Sequence, residues 1–170
     1  MSYMELIRQR YSCRRFADRP VEAEKIETII EAGRLAPTAT NAQPIRIWVI
    51  RTPEALEKAR TVTRCHFDAP VLFVIGGKPD TAWVRQFDGR NFADVDATIV
   101  ATQMMLAVEE LGLGTTWVGW FDAPKLQELF PAMQGYDLVA MFPVGYPAAD
   151  AVPAPKHTQR LSRDEIAEDL

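Results

Sequence analysis

Arg10, Ser12 and Arg14 stand two residues apart in the run Arg10-Tyr11-Ser12-Cys13-Arg14-Arg15-Phe16. In extended backbone alternate side chains share a face, so these three point together while Tyr11 and Cys13 point away. Two guanidiniums and a hydroxyl on one face suit an anion such as a phosphate. Guanidinium donors bind phosphate oxygens in pairs, and each charge-assisted bond is worth about 1.5–3 kcal/mol. The same residues also suit an ordinary basic helix end, where cations complement the dipole. Spacing alone leaves both readings open. A second polar cluster, Ala36-Pro37-Thr38-Ala39-Thr40-Asn41-Ala42-Gln43-Pro44, follows one helix later and reads as another ligand-binding segment.

Other chemistries fail on context. Gly112-Leu113-Gly114 follows a helix and precedes a strand, the reverse of a dinucleotide-binding turn. Gly76-Gly77-Lys78 lacks the spacing and hydroxyl of a phosphate-binding P-loop and reads as a tight turn. No Ser-His-Asp or Cys-His pairing is visible, and His66 and His157 read as surface or hinge residues. Cys13 and Cys65 have neither metal-site nor disulfide-framework spacing, and reduced thiols fit them best. Trp117 and Trp120 read first as core packing. A net charge of -4 and a pI near 5.2 argue against a nucleic-acid partner, which needs a basic face to displace counterions. No apolar run is long enough to span a bilayer, and the first residues mix acid and base too closely for a signal peptide. The expectation is a soluble cytoplasmic chain with no membrane partner.

The elements that must position these residues alternate along the chain. Residues 3–9 read as a short amphipathic helix that delivers the arginine cluster at its end. Residues 22–35 read as a second helix with Ile26, Ile29, Ile30 and Gly33 on one face, stopped by Pro37. Strands are expected at 45–50, 70–76, 115–121 and 137–144, and further helices at 53–61 and 123–130. Residues 94–111 form the most apolar helix, with Asp94 as its N-cap. Its polar positions Asp96, Thr98, Thr102, Gln103, Glu109 and Glu110 are expected to face solvent or a second protomer. Residues 78–93 read as a connecting segment or lid with some helix, and 148–155 as an extended tail leading to the basic group Lys156-His157-Thr158-Gln159-Arg160. With 170 residues, 48% of them hydrophobic, one domain spanning 1–170 is expected.

In order and spacing the two polar clusters resemble the nitroreductase family of flavoproteins. Members begin with Arg-x-Ser-x-Arg/Lys, followed by Ala-Pro-Ser/Thr-x-x-Asn-x-Gln-Pro. Further likenesses follow at Ala69-Pro70-Val71-Leu72-Phe73-Val74-Ile75, at Leu111 through Phe121, and at Val144-Gly145-Tyr146-Pro147. The resemblance implies an α+β fold, a three-layer α/β/α sandwich around a mixed sheet of four or five strands, paired into a homodimer with FMN at the interface. It implies NAD(P)H as electron donor and a nitroaromatic, quinone or similar electron-poor acceptor. By the family pattern Arg10, Ser12, Lys156 and Arg160 would lie at the phosphate and ribityl end, with Tyr11 also among the cofactor-binding residues, and Arg14 by the pyrimidine edge as an electrostatic stabiliser. Thr38, Ala39 and Asn41 would reach over from the partner subunit with support from Gln43. Backbone groups of Val118, Gly119 and Trp120 would approach the ring. No metal is implied, and no side chain acts as a catalytic acid or base.

Three departures matter. The Gln-Pro-Trp that often ends the second motif is Gln43-Pro44-Ile45, with the tryptophan displaced to Trp48. Only residues 78–93 are available where larger members carry a helical insertion over the substrate. Lys156 and Arg160 are widely spaced. Two other readings stay open: a protein that remodels or stores flavin, and a flavin-free dimeric binding module.

Overall fold

Val71-Leu72-Phe73-Val74-Ile75 has no polar face, and a strand of that composition must be covered on both sides. The computed structural model, which describes residues 1–170, puts it there. Strand β2 (Val71–Gly77) is buried throughout, in a four-stranded sheet with β1 (Ile45–Ile50), β3 (Gly114–Thr115) and β4 (Asp137–Gly145), ordered β1-β2-β4-β3. All three ladders are antiparallel, with Phe73 opposite Val49 on one side and Phe142 on the other. The one parallel pairing is a single bridge between Ser12 and Thr115, so the mixed character expected of the sheet is confined to that point.

Alternation along β2 builds two cores. Phe73 and Ile75 pack with Phe142 against Ile26 and Ile29 of α2 (Ala23–Arg34) and Val100 and Met104 of α4 (Ala93–Glu110). Leu72 and Val74 pack on the other face against Leu56 and Ala59 of α3 (Pro53–Arg60) and Leu126 of α5 (Ala123–Leu129). The result is the expected sandwich of helices, sheet and helices. Helices α2 and α4 approach closely because Gly33 has no side chain: a Cβ there would sit 2.9 Å from Met104 Cγ and from Ile47 Cδ1. Lys25 Nζ adds a bond of 2.7 Å to the Leu111 carbonyl, placing a cation at the negative end of α4.

Several expectations change. Helix α4 begins at Ala93 with Phe92 as its cap residue, so Asp94 lies in the first turn; Asn91 Oδ1 accepts the Ala93 N–H instead, at 2.9 Å. The strand expected at 115–121 is interrupted after Thr115 and touches β4 again only at Val118, which exchanges both backbone bonds with Met141 at 3.0 Å. The register is unbroken, since Gly114 faces Gly145, Thr115 faces Val144 and Val118 faces Met141. Thr116 therefore falls opposite Pro143. That position should exchange backbone bonds, and proline has no N–H to give. Residues 78–93 hold a single 3-10 turn, Pro79–Thr81, and one bridge between Val84 and Asn91, with Trp83 edge-on to Phe92 at 4.8 Å. The tail adds a 3-10 turn at Pro155–Thr158 and a final helical turn, α6 (Arg163–Ile166), which carries its own Ser162–Glu165 capping box.

Candidate functional site

Helix α1 (Tyr3–Gln9) opens with a Ser2–Glu5 capping box and ends where Arg10 turns extended, at φ -52° and ψ 124°. From there the chain is held on two sides. Ser12 bridges Thr115, and the Cys13 N–H donates to the Thr115 carbonyl at 2.9 Å. Phe16 bridges Pro147, Ala17 N–H donates to Tyr146 at 2.8 Å, and Ala148 N–H donates back to Arg15 at 3.0 Å. Cys13 is wholly buried, close enough to Gly114 that a Cβ on that glycine would lie 2.7 Å from the cysteine's own Cβ. With Cys13 turned inward, alternation turns Arg10, Ser12 and Arg14 the other way.

These three line a cavity of about 220 Å³, closed on its far side by Lys156, His157 and Arg160 from the carboxy-terminal turn. Residues separated by nearly the whole chain thus meet at one anion-suited site. Arg14 Nη1 donates to the Ser12 carbonyl at 3.2 Å, and Arg160 Nη1 donates to the His157 and Gln159 carbonyls at 2.6 and 2.7 Å. Neighbouring Arg15 is instead paired with Asp150 at 2.6 Å. Burial, the larger effect, pushes up the carboxyl of Glu109 on α4, which is close enough to Arg10 and His157 for their charges to draw it down. Tyr11 does not line the cavity. Burial first, then neighbouring Cys13 and Glu109, push its phenol up to about 12, and its ring stands edge-on to His157 at 6.5 Å.

A second cavity of about 150 Å³ shares Arg14 with the first, and Val118, Gly119 and Trp120 border it along with Cys65 and Phe67. Gly119 is exposed, and apart from its chain neighbours no protein atom comes within 4 Å of where its Cβ would be, so the space beside it is open. The two tryptophans part company. Trp117 packs edge-on against Phe142 at 5.3 Å, whereas Trp120 is 62% exposed with the Arg64 guanidinium 4.7 Å above its ring. The Thr63 hydroxyl donates to the Trp120 carbonyl at 2.7 Å and fixes the loop that carries Cys65 and Phe67.

Thr38, Ala39, Asn41 and Gln43 line neither cavity of their own chain. They form a turn at the amino end of α4 in which Thr40, Asn41 and Gln43 take φ of 53°, 57° and 52°. Non-glycine residues adopt that region at a cost of roughly 1–3 kcal/mol each, so something must hold the turn. Part of the answer is Asp96. Expected to face solvent or a partner, it is 1% exposed, and its Oδ1 accepts the Ala39 N–H at 2.8 Å. Thr38 Oγ1 accepts from the Gln43 N–H at 3.0 Å, and Gln43 Nε2 donates to the Asn41 carbonyl.

Sequence reasoning passed over His157, Cys65, Phe67 and Asp96. His157 had a usable signal, since it stands between Lys156 and Arg160. Cys65 and Phe67 had none, because they lie in a loop that no periodicity encodes, and Asp96 had none because its burial on α4 depends on the Ala39 N–H brought beside it.

The chain is similar to known proteins over most of its length. The Nitroreductase family model matches residues 7–68 and 64–146. A nitroreductase family protein of Clostridium difficile 630 is 35% identical, with a TM-score of 0.91 over 99% of this chain and 98% of that one. A structure from Exiguobacterium sibiricum 255-15, provisionally named a nitroreductase and solved in complex with FMN, shares the fold at a TM-score of 0.85 and 20% identity over 100% and 98% of the two chains. A Methanothermobacter thermautotrophicus protein, provisionally named an NADH dehydrogenase/NAD(P)H nitroreductase, is 29% identical over 160 residues, 87% of this chain and 78% of its own. The family match spans most of the sequence, including the arginine-serine segment and the turn after α2, and the chain belongs to the nitroreductase family.

Proposed function

We propose that residues 1–170 form one FMN-binding domain, that two copies pair, and that the pair reduces nitroaromatics, quinones or similar electron-poor acceptors with NAD(P)H. The observation that carries this reading is the place of Arg14, which borders both the cationic cavity and the open-edged one. A molecule with an anionic tail and a flat polar ring fits such a pair of cavities. The donor set suits the tail: Arg10, Arg14, Lys156 and Arg160 line the first cavity with Ser12, and no carboxylate lines it with them.

Arg10, Ser12, Lys156 and Arg160 would hold the phosphate and ribityl chain, with charge-assisted bonds fixing its position. When bound, FMN supplies a ring that takes up hydride from a nicotinamide and passes reducing equivalents to an acceptor. Arg14 would stand at the pyrimidine edge, where a fixed cation favours negative charge on that ring; charge set in place beforehand usually does more for the rate than any other feature of such a site. Gly119 leaves its backbone accessible, as close approach to a ligand requires. The Thr38–Asn41 turn, held by Asp96, would reach the site of the partner subunit.

Steady-state NADH and NADPH oxidation by the purified protein, with menadione or nitrofurazone as acceptor, tests this. The expected result is turnover with parallel-line kinetics, as alternating reactants at one site require. A yellow protein that is reduced by NADH yet transfers nothing to either acceptor would instead favour flavin storage or remodelling. A colourless protein that takes up no FMN would favour a flavin-free binding module.

A further inference from the structure

His157 is the remaining side chain of the cationic cavity, and the flavin reading leaves it without a role. It lies in the Pro155–Thr158 turn, half-buried, between Lys156 and Arg160, and it lines the same wall as they do. Its backbone is fixed from both sides: the N–H donates to the Ala154 carbonyl at 2.8 Å, and its own carbonyl accepts from Arg160. Its ring is set edge-on to Tyr11. The half-buried side chain thus lines the cavity from a fixed backbone.

We propose that His157 is an anion-binding residue of this cavity, and that gain of a proton on its imidazole strengthens the hold on a phosphate monoester. The proposal deepens the flavin reading and rests on it for the identity of the ligand, though not for the chemistry.

The groups facing the imidazole decide the sign. From the amino-terminal segment come Arg10 and Arg14, permanently charged, and Tyr11, whose raised phenol stays neutral. From its own turn come Lys156 and Arg160, and from α4 comes Glu109. Four cations and one carboxyl thus lie around the imidazole, and a bound phosphate adds negative charge on the cavity side. Imidazole is the side chain that ordinarily titrates between pH 5 and 8, while a phosphate monoester loses its second proton near pH 6. Above about pH 6.5 a phosphate monoester is mostly dianionic, so the larger change of charge is that of an imidazole. Affinity should then fall as pH rises. By linkage, a ligand that prefers the imidazolium must raise the imidazole midpoint by the same factor.

The chain has two histidines, so the imidazole signals in a two-dimensional proton–nitrogen spectrum can be assigned with a His66→Gln variant. Both imidazoles are titrated in flavin-stripped protein alone, with inorganic phosphate, with FMN and with riboflavin. The expected result is an upward move of about one pH unit for His157 with saturating FMN, a smaller one with phosphate, and none with riboflavin. FMN affinity, read from quenching of flavin fluorescence, should fall about fivefold between pH 6.5 and 8.5, within the tenfold limit that a one-unit move of the midpoint sets. His157→Gln should bind with a flat pH profile at the weaker value, and His157→Lys with a flat profile at the tighter one. An unmoved His157 midpoint under both phosphate and FMN, or the same pH slope in His157→Gln as in the parent, overturns the proposal. A midpoint that moves with phosphate in a protein that binds no flavin upholds it and removes the flavin reading instead.

Discussion

Arg14 is the residue that the two cavities share. Arg14→Ala should keep the fold, since its side chain is exposed and its one hydrogen bond is to a neighbouring carbonyl. FMN affinity or the rate of reduction by NADH should drop at least tenfold, on the order of the charge-assisted bond removed. Circular dichroism and flavin titration check the two halves of that statement, and undiminished turnover would remove Arg14 from the mechanism. At this scale the sequence was legible where spacing did the work. Arg10, Ser12 and Arg14 share a face because alternation in extended backbone leaves no choice once Cys13 turns inward. It was illegible where tertiary context reversed a polar residue's usual place. Asp96 sits on a helix whose apolar residues run nearly all round, and only the neighbouring Ala39 N–H explains why a carboxylate is buried there.

Among the elements, the short strand β3 supports the binding segment. A methyl group on Gly114 would meet Cys13 Sγ at 2.8 Å and Pro147 Cγ at 3.2 Å, both within the fastening of residues 12–17. Gly114→Ala should cost about 1–3 kcal/mol, as overpacking does, and weaken FMN binding with it. Chemical denaturation and flavin titration on the same sample would show this; a stable variant with full affinity would mean that the segment is held elsewhere. A second fastening joins the start of α2 to the end of β4, where the Tyr146 hydroxyl donates to Glu22 Oε2 at 2.7 Å beneath the Arg19 guanidinium. The Tyr146 bond first, then the Glu22 backbone and Arg19, draw the Glu22 carboxyl down to about 2. A carboxyl lowered by folding stabilises above its unfolded value and loses that contribution as pH falls toward the folded one. Tyr146→Phe should therefore lower the melting temperature most at neutral pH, with the gap closing between about pH 4.5 and pH 2. A gap constant with pH would contradict the assignment. Helices and the long strands were readable from period and composition. The break after Thr115 was not, because it depends on which residue stands opposite Pro143, a matter of register that one strand's sequence does not contain.

For the molecule as a whole, the proposed pairing can be tested on the exposed side of α4. Ile99 and Leu106 border a groove of about 450 Å³ with Tyr3 and Pro37, and Pro37 leads directly into the Thr38–Gln43 turn. A second copy seated there would bring that strained turn toward a site to which it contributes nothing within its own chain. Ile99→Lys should shift the protein to monomer in light scattering and reduce bound FMN, whereas a dimer that persists with full flavin content would place the interface elsewhere. The sandwich was expected from the family resemblance. The meeting of Arg10 with Arg160 followed only from that resemblance, since contacts between chain ends have no local signature. Flavin binding at the paired cavities is tested most directly by the visible absorption spectrum of freshly purified protein, recorded anaerobically before and after NADH. A flavin band that bleaches on addition and returns with a quinone is the predicted result. A spectrum without that band, unchanged after incubation with FMN, would contradict flavin binding and the chemistry built on it.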